Sequence, residues 1–263
     1  MDENILDTII RRKAEEVKLS KATVSAEVLE KSEFFNRKTF SLKQFLQDPA
    51  RTGIIAEFKR KSPSKGIFNS EVKPEDITRA YAEEGASGLS ILTDEHFFAG
   101  NKQDVISSRT VSIPILRKDF IIDEYQVLEA KSIGADVILL IAACLTPRRV
   151  EELSLYARNL NLEVLLEIHN EEELSHICEA VDIIGVNNRD LKTFTVDVNR
   201  SIALAKKIPD GRLKISESGI SDVKTIHLLK QHGYNGFLIG ETFMKEREPA
   251  IAFARFVHTL KHG

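Results

Sequence analysis

An acidic and a basic side chain stand two residues apart where an early apolar segment ends. Glu57 and Lys59 follow the apolar residues 53–56 and precede a polar turn at residues 62–66. Because a strand alternates its faces, both side chains point the same way, and burying such a pair is costly. The pair could move protons on a substrate, and the turn could bind an anion. An edge strand that runs into a solvated loop, with Arg60 and Lys61 as surface charges, explains this segment equally well.

Four further apolar segments end in the same manner, with polar residues in phase with apolar ones. The inner-face residues at these ends are Lys118, Phe120, Glu167, Asn187, Arg189 and Glu217. If the ends meet, three cations and three carboxylates surround one opening, where neighbouring charges would tune general acids and bases. Any one of these charges could be a satisfied structural residue, but the set predicts an acid–base site. His96 and His169 are isolated, so that we expect a surface or supporting role for both, and no spacing predicts a metal site.

The elements that must position these residues alternate along the chain. Strands are predicted at residues 54–58, 88–92, 113–117, 136–142, 163–168, 183–187, 213–217 and 236–240. Helix starts between them are marked by Pro74, Pro147, Asn170 and Asp222. Three glycines would end helices in the left-handed conformation: Gly85, Gly134 and Gly233. The spacings between them correspond to about two and four units of roughly 25 residues.

Eight such units predict an α/β protein with a (β/α)₈ barrel, and a doubly wound open sheet is the alternative. That alternative normally carries a glycine-rich phosphate turn after its first strand, where this chain has Lys59–Ser62 instead. Residues 1–50 show helical spacing and no strand, with a capping pattern at Ser41 and Gln44. We therefore expect one domain over residues 1–263, with residues 1–50 as a helical extension packed on the barrel.

The bulk composition narrows the classes of partner. The 263 residues carry 37 basic and 40 acidic side chains, a net charge of −3, which does not favour nucleic-acid binding. No apolar run is long enough to span a membrane, and the N-terminus lacks the features of a signal peptide. Cys144 and Cys178 form no zinc or disulfide framework, and we expect both to be packing residues. These features predict a cytoplasmic protein.

The ends of the last two predicted strands differ from the others because they are rich in glycine. Ser218 and Gly219 follow the seventh strand, and Gly240 follows the eighth. In phosphate-binding barrels these two loops hold the phosphate through backbone N–H groups, and glycine permits a close approach. Two ordinary turns are the competing interpretation. A carboxylate is unfavourable beside a phosphate, so we expect the Glu241 side chain to point away from the site.

These motifs together resemble the indole-3-glycerol phosphate synthase family, whose barrel enzymes close the indole ring in tryptophan biosynthesis. The resemblance extends from the N-terminal extension to the last helix. The matching segments are residues 56–64 (AEFKRKSPS), 92–94 (LTD) with 98–100 (FAG), 116–120 (LRKDF), Glu167, 185–191 (GVNNRDL), 216–220 (SESGI) and 238–240 (LIG).

The resemblance implies a lyase that acts on 1-(2-carboxyphenylamino)-1-deoxyribulose 5-phosphate without a metal or other cofactor. It implies that Lys118 is the general acid and that Glu167 and Lys59 serve the later dehydration. Glu57, Asn187, Arg189 and Glu217 would orient the ribulose hydroxyls and the catalytic lysines. Binding residues would be Ser62, Ser218, Gly219 and Gly240 for the phosphate, and Phe98, Phe120 and Leu191 for the aromatic ring.

One departure from the family pattern is Glu241, because many relatives have serine there, so that a hydroxyl contact to phosphate is lost. Three alternatives stay open. The first is a Schiff-base aldolase barrel with Lys118 or Lys59 as nucleophile, and the second is a catalytically inactive barrel that binds a phosphate ligand. The third, a phosphoribosylanthranilate isomerase-type barrel, would need a different acid–base pair. We expect a small sugar-phosphate substrate, no nucleic acid or membrane partner, and a monomer or homodimer.

Overall fold

The computed structural model describes residues 5–63, 65–69, 72–191 and 193–263, so that Ser64 of the predicted anion-binding turn lies outside the described residues. Eight parallel strands close into a barrel, in which each strand pairs with its neighbours in sequence and the last pairs with the first. The barrel strands are β1 (Ile54–Phe58), β2 (Gly88–Leu92), β3 (Ile115–Lys118), β4 (Val137–Ile141), β5 (Glu163–Ile168), β6 (Ile183–Asn187), β7 (Leu213–Glu217) and β8 (Gly236–Ile239). The prediction of a (β/α)₈ barrel is confirmed, and the doubly wound alternative is wrong.

Helices surround the barrel and precede it. They are α1 (Ile5–Thr23), α2 (Ala26–Glu30), α3 (Leu42–Gln47), α4 (Pro74–Glu83), α5 (Glu95–Phe98), α6 (Lys102–Ser107), α7 (Glu124–Ser132), α8 (Pro147–Asn159), α9 (Asn199–Ala205), α10 (Val223–Gln231), α11 (Glu241–Met244) and α12 (Pro249–His262). Short 3₁₀ helices lie at Ser108–Thr110, Ala142–Cys144 and Glu172–His176. None of the described helices has both the length and the apolar character needed to cross a membrane.

Local sequence signals explain where several helices begin and end. Pro74 and Pro147 occupy the first turn of α4 and α8, as predicted. Gly85, Gly134 and Gly233 each have a φ angle between 81° and 92°, the left-handed conformation that ends the preceding helix. These turns redirect the chain at once into β2, β4 and β8, and this keeps the strand ends in register.

The inside of the barrel is a separate apolar core closed at the bottom by α3. Its buried residues are Leu42, Leu46, Ile55, Leu116, Val137, Leu139, Ile141, Leu165, Ile183, Ile215 and Leu238. A Cβ atom on Gly88 or Gly236 would lie 2.7 Å from Leu42 or Leu46, so glycine in these strands makes room for α3. The Ser41 hydroxyl accepts a hydrogen bond from the Gln44 N–H and caps this helix, as predicted.

Helix α1 is fixed to the barrel by a buried group of charges, here called the anchor cluster: Lys13, Asp94, Arg117, Asp119 and Glu129. Lys13 Nζ lies 2.9 Å from Asp94 and 3.0 Å from Asp119, and Arg117 Nη2 lies 3.0 Å from Asp119 and 2.8 Å from Glu129. Asp94 also accepts the Phe97 and Phe98 N–H groups at the start of α5. Although burial opposes the charge, these carboxylates raise the pKa of Lys13 above its usual value.

Candidate active site

A cavity of about 420 Å³ opens at the carboxyl ends of the barrel strands. Strand alternation brings the predicted polar residues to it, because each continues the inner face of its strand. The predicted site residues that line it are Glu57, Lys59, Ser62, Phe98, Lys118, Phe120, Glu167, Asn187, Arg189, Leu191, Glu217, Ser218, Gly219 and Gly240. The structure thus places every predicted site residue at one cavity.

Lys118 lies at the centre of a second buried charge group, here called the mouth cluster: Glu57, Lys59, Lys118, Glu167 and Glu217. Its Nζ is 3.3 Å from Glu167 Oε2 and 3.6 Å from Glu217 Oε2. Lys59 Nζ lies 2.8 Å from Glu57 Oε1, and Ser90 donates a hydrogen bond to the other oxygen of Glu57. Burial lowers the pKa of Lys118, but the three glutamates outweigh it and raise that pKa well above the usual value.

The pKa values of the two glutamates that face Lys118 are shifted in opposite directions. Burial, the largest cause, raises the pKa of Glu217 to about 8; the charges of Glu167 and Glu57 add to this rise, and Lys118 opposes it. Both Glu217 carboxylate oxygens are buried with no hydrogen-bond partner among the described residues. Burial acts on Glu167 in the same direction, yet Lys118 and His169 hold its pKa well below its usual range. The surroundings therefore favour the protonated form of Glu217 and the ionised form of Glu167.

Glycine provides the space that these carboxylates occupy. A Cβ atom at Gly185 would collide with Glu217 Oε1, and one at Gly240 would lie 2.7 Å from Glu57 Oε1. Neither position tolerates a larger side chain unless a charged residue moves. The sequence shows the two glycines, but it does not show that Glu217 and Glu57 occupy the space beside them. Each of these contacts joins neighbouring strands.

One wall of the cavity is apolar and suits a flat aromatic group. The Phe98 and Phe120 rings have centroids 6.1 Å apart and planes inclined by 39°, and Leu191 lies on the same cavity. Residues Ile5, Leu6 and Ile9 of α1 also line it, although none of them is among the predicted site residues. Their helical spacing was visible as an apolar face, but nothing local indicated that this face covers the barrel mouth.

The predicted phosphate loops lie on the cavity wall formed by the ends of β7 and β8. Ser218 and Gly219 both have a positive φ, 67° and 76°, and the Ser218 carbonyl accepts a hydrogen bond from Asn188. A non-glycine residue in this conformation is uncommon and is found most often at functional sites. The glycine that follows is required, because a Cβ at Gly219 would collide with Val196.

Two expectations about charged loop residues are wrong. Glu241 does not point away from the cavity: it lines it, with Oε2 3.3 Å from Arg189 Nη2 and Oε1 3.8 Å from Lys65 Nζ. Two cations on neighbouring loops attract its carboxylate inward. Arg60 is not a solvated surface charge, because its guanidinium pairs with the Asp104 carboxylate and braces the segment after β1.

The closed barrel and the lysines and glutamates at its carboxyl-terminal mouth define a (β/α)₈-barrel enzyme. Comparisons with known proteins identify its family. Residues 6–256 match the family model for indole-3-glycerol phosphate synthase. The chain belongs to the indole-3-glycerol phosphate synthase family.

Individual relatives agree with this assignment. The chain is 48% identical over 259 residues to an indole-3-glycerol phosphate synthase of Bacteroides thetaiotaomicron, which covers 98% of this chain and 99% of the relative. It is 45% identical over 206 residues to one of Acinetobacter baumannii, covering 77% of each chain. A chain of the tryptophan synthase α2β2 complex from Pyrococcus furiosus superposes with a TM-score of 0.60 at 17% identity, covering 81% of this chain and 98% of that chain. This last likeness concerns the fold alone.

Proposed function

We propose that this chain converts 1-(2-carboxyphenylamino)-1-deoxyribulose 5-phosphate to indole-3-glycerol phosphate, with loss of CO₂ and water. The observation that carries the proposal is the position of Lys118, which lies among Glu57, Glu167 and Glu217 on a cavity with an apolar wall. A protonated lysine beside an aromatic-binding surface suits a reaction in which a ring carbon attacks a carbonyl group.

In the first step Lys118 donates a proton to the ribulose carbonyl oxygen as the aromatic carbon bonds to the carbonyl carbon. The carbonyl becomes a hydroxyl group, and breaking the bond to the ring carboxylate then releases CO₂ and restores aromaticity. The surrounding glutamates keep Lys118 charged and hold its ammonium group in place, which is what a general acid requires before the transfer.

In the last step the new hydroxyl group leaves as water, which requires one acid and one base. Glu167 would accept the proton from the ring CH₂ carbon next to the carbinol carbon, and Lys59, which lies on the same cavity, would donate a proton to the leaving hydroxyl group. Both assignments, and the order in which these two residues act, are predictions. Glu57 supports Lys59 directly at 2.8 Å and so controls where its ammonium group points.

The remaining residues divide the substrate between opposite sides of the cavity. Phe98, Phe120 and Leu191 would contact the aromatic ring, and Ser62, Ser218, Gly219 and Gly240 would bind the phosphate. Arg189 and Asn187 would orient the ribulose hydroxyls with Glu217. In this arrangement the Arg189 and Glu241 side chains, which are paired at 3.3 Å, lie next to the phosphate loops. Phosphate binding therefore has to tolerate or displace the Glu241 carboxylate.

The deciding experiment supplies the purified protein with the ribulose phosphate substrate and records indole absorbance and fluorescence. We expect product formation without added metal and no effect of EDTA. A requirement for a divalent ion would contradict the mechanism. Borohydride treatment with a keto-sugar phosphate separates the aldolase alternative, because only a Schiff-base enzyme would form a reduced lysine adduct.

Several expectations remain predictions alongside this function. They are a single domain over residues 1–263 with an extension at 1–50, the absence of a cofactor, and a cytoplasmic location. The oligomeric state is predicted to be monomer or homodimer, and a sedimentation measurement distinguishes the two. A nucleic-acid partner is not expected for a chain with a net charge of −3.

A further inference from the structure

The imidazole of His169 lies directly behind Glu167, between two carboxylates. Its Nε2 is 3.3 Å from Glu167 Oε1, and its Nδ1 is 3.3 Å from Glu173 Oε2. Only 8% of the residue is exposed. Each oxygen of Glu167 therefore has a basic side chain beside it. Lys118 Nζ lies 3.3 Å from Oε2, and the imidazole lies beside Oε1.

The outer carboxylate is itself held in place, so that it cannot swing away from the imidazole. Glu173 Oε2 accepts a hydrogen bond from the backbone N–H of His169 at 2.7 Å, and Oε1 accepts one from the Asn170 side-chain amide at 2.9 Å. The Glu173 N–H donates in return to Asn170 Oδ1. This capping pattern begins the 3₁₀ helix Glu172–His176 and places a fixed negative charge behind the ring.

A neutral imidazole does not fit this position well. It carries one N–H and one lone pair, and the lone pair would face a carboxylate oxygen on one side or the other. An imidazolium fits both neighbours better, because Nδ1 lies at hydrogen-bond distance from Glu173 and the positive ring makes an ion-pair contact with Glu167 through Nε2. Burial lowers the pKa of His169, but Glu167 and Glu173 outweigh it and raise that pKa to about 9.

The charged and titratable groups around the ring are consistent with this state. From the 3₁₀ helix after β4 comes Cys144, whose thiol pKa is raised by burial and then by Glu167 and Glu173, so that it is neutral. Asp7 of α1 adds a further negative charge near that thiol. Lys118 contacts the other oxygen of the Glu167 carboxylate, so that this carboxylate separates the two cations.

We propose that His169 is a positioning residue which, as an imidazolium, fixes the Glu167 carboxylate so that its second oxygen faces Lys118 and the substrate. With a cation beside each oxygen, the carboxylate is favoured in the orientation that turns Oε2 toward the cavity. The part of this inference that concerns turnover rests on the proposed function, whereas the charge of His169 does not.

Nuclear magnetic resonance tests the charge without reference to activity. In uniformly ¹⁵N-labelled protein, with His169→Asn used to assign the signal, both ring nitrogens should be protonated at pH 7.5. Glu173→Gln should lower the His169 titration midpoint by about one pH unit or more. Glu172→Gln is the matched control, because it makes the same change one residue away on an exposed side chain, and should leave the midpoint in place. A neutral ring at pH 7.5 overturns the proposal.

Kinetics tests the positioning role. In His169→Asn we expect kcat to fall between about tenfold and 100-fold with KM nearly unchanged, since misplacing a reacting group has effects of this order. The wild-type loss of kcat as His169 deprotonates at alkaline pH should be absent from the variant. Unchanged kcat and an unchanged pH profile would overturn the role even if the ring is charged. If the wild type makes no indole product, the proposed function fails while the resonance test stands.

Discussion

The anchor cluster and the mouth cluster lie on opposite sides of one strand, and the charged groups in the two clusters differ in how closely they are paired. Three consecutive residues separate them: Arg117 and Asp119 point into the anchor cluster, and Lys118 between them points into the mouth. Strand alternation alone produces this division. Both groups combine basic side chains with carboxylates, yet their contacts differ.

In the anchor cluster the charged atoms lie at hydrogen-bond distance, as in the 2.9 and 3.0 Å contacts of Lys13. In the mouth cluster the Lys59–Glu57 pair is as short, at 2.8 Å, but Lys118 stands 3.3 and 3.6 Å from its partners and the pKa of Glu217 is raised. Tight pairing keeps buried charges fixed, whereas looser pairing leaves them able to exchange protons. The comparison indicates that the first group serves stability and the second serves chemistry.

Lys118→Met gives the largest expected effect and tests the mouth cluster. It removes the proposed general acid while keeping the length of the side chain. We expect kcat to fall about 10³-fold with a much smaller change in KM, because the lost interaction acts in the transition state. Steady-state kinetics with the ribulose phosphate substrate measures both. A raised KM with unchanged kcat would make Lys118 a binding residue only.

Lys13→Met applies the same change to the anchor cluster, and the loss should appear in stability. Asp94 and Asp119 would be left buried without their lysine, a situation that destabilises proteins by about 3–5 kcal/mol. Urea unfolding measures the free energy. Lys21→Met is the matched control on the same helix, because its pair with Asp123 is exposed and should contribute less than about 1 kcal/mol. Equal losses in both variants would remove the distinction between the clusters.

Glu217→Gln is the most conservative of the three changes and tests the opposite pKa shifts of the two glutamates. The folded-state pKa of Glu217 is raised to about 8, above its unfolded value, so wild-type stability falls as pH rises between about 4.5 and 8. The variant removes this penalty, so its stability relative to the wild type should rise as the pH increases through that range. Unfolding at pH 4.5, 6 and 8 tests this. A stability difference that does not change with pH would contradict the raised pKa.

The sequence predicts the barrel well because its signals are local. Continuous apolar runs such as β4 mark strands buried on both faces, and a glycine such as Gly134 marks the turn before a strand. The inner faces also follow from alternation once the strands are known. The structure therefore places Glu57, Lys118, Glu167 and Glu217 where alternation predicts.

The interactions that the sequence did not predict join segments far apart in the chain. In the sequence Lys13 is one of several polar residues on α1. None of the neighbouring residues in the chain indicates that Asp94 and Asp119 contact it. The capping pattern of Asn170 and Glu173 is visible, but the contact of Glu173 with the His169 ring requires the three-dimensional turn. Glu241 was misjudged because its cations, Arg189 and Lys65, lie on other loops.

The pairing of β1 with β8 has a consequence for folding during synthesis of the enzyme. Ile54 lies opposite Phe237 and Ala56 opposite Ile239, so the barrel cannot close until its final strand has been synthesised. At ribosomal rates of about 5–20 residues per second, Glu57 is made roughly 10–40 s before Gly240, which provides its space. During that interval Glu57 lacks both the strand that pairs with β1 and the glycine that provides its space. The active site is therefore completed only after the last barrel strand has been synthesised.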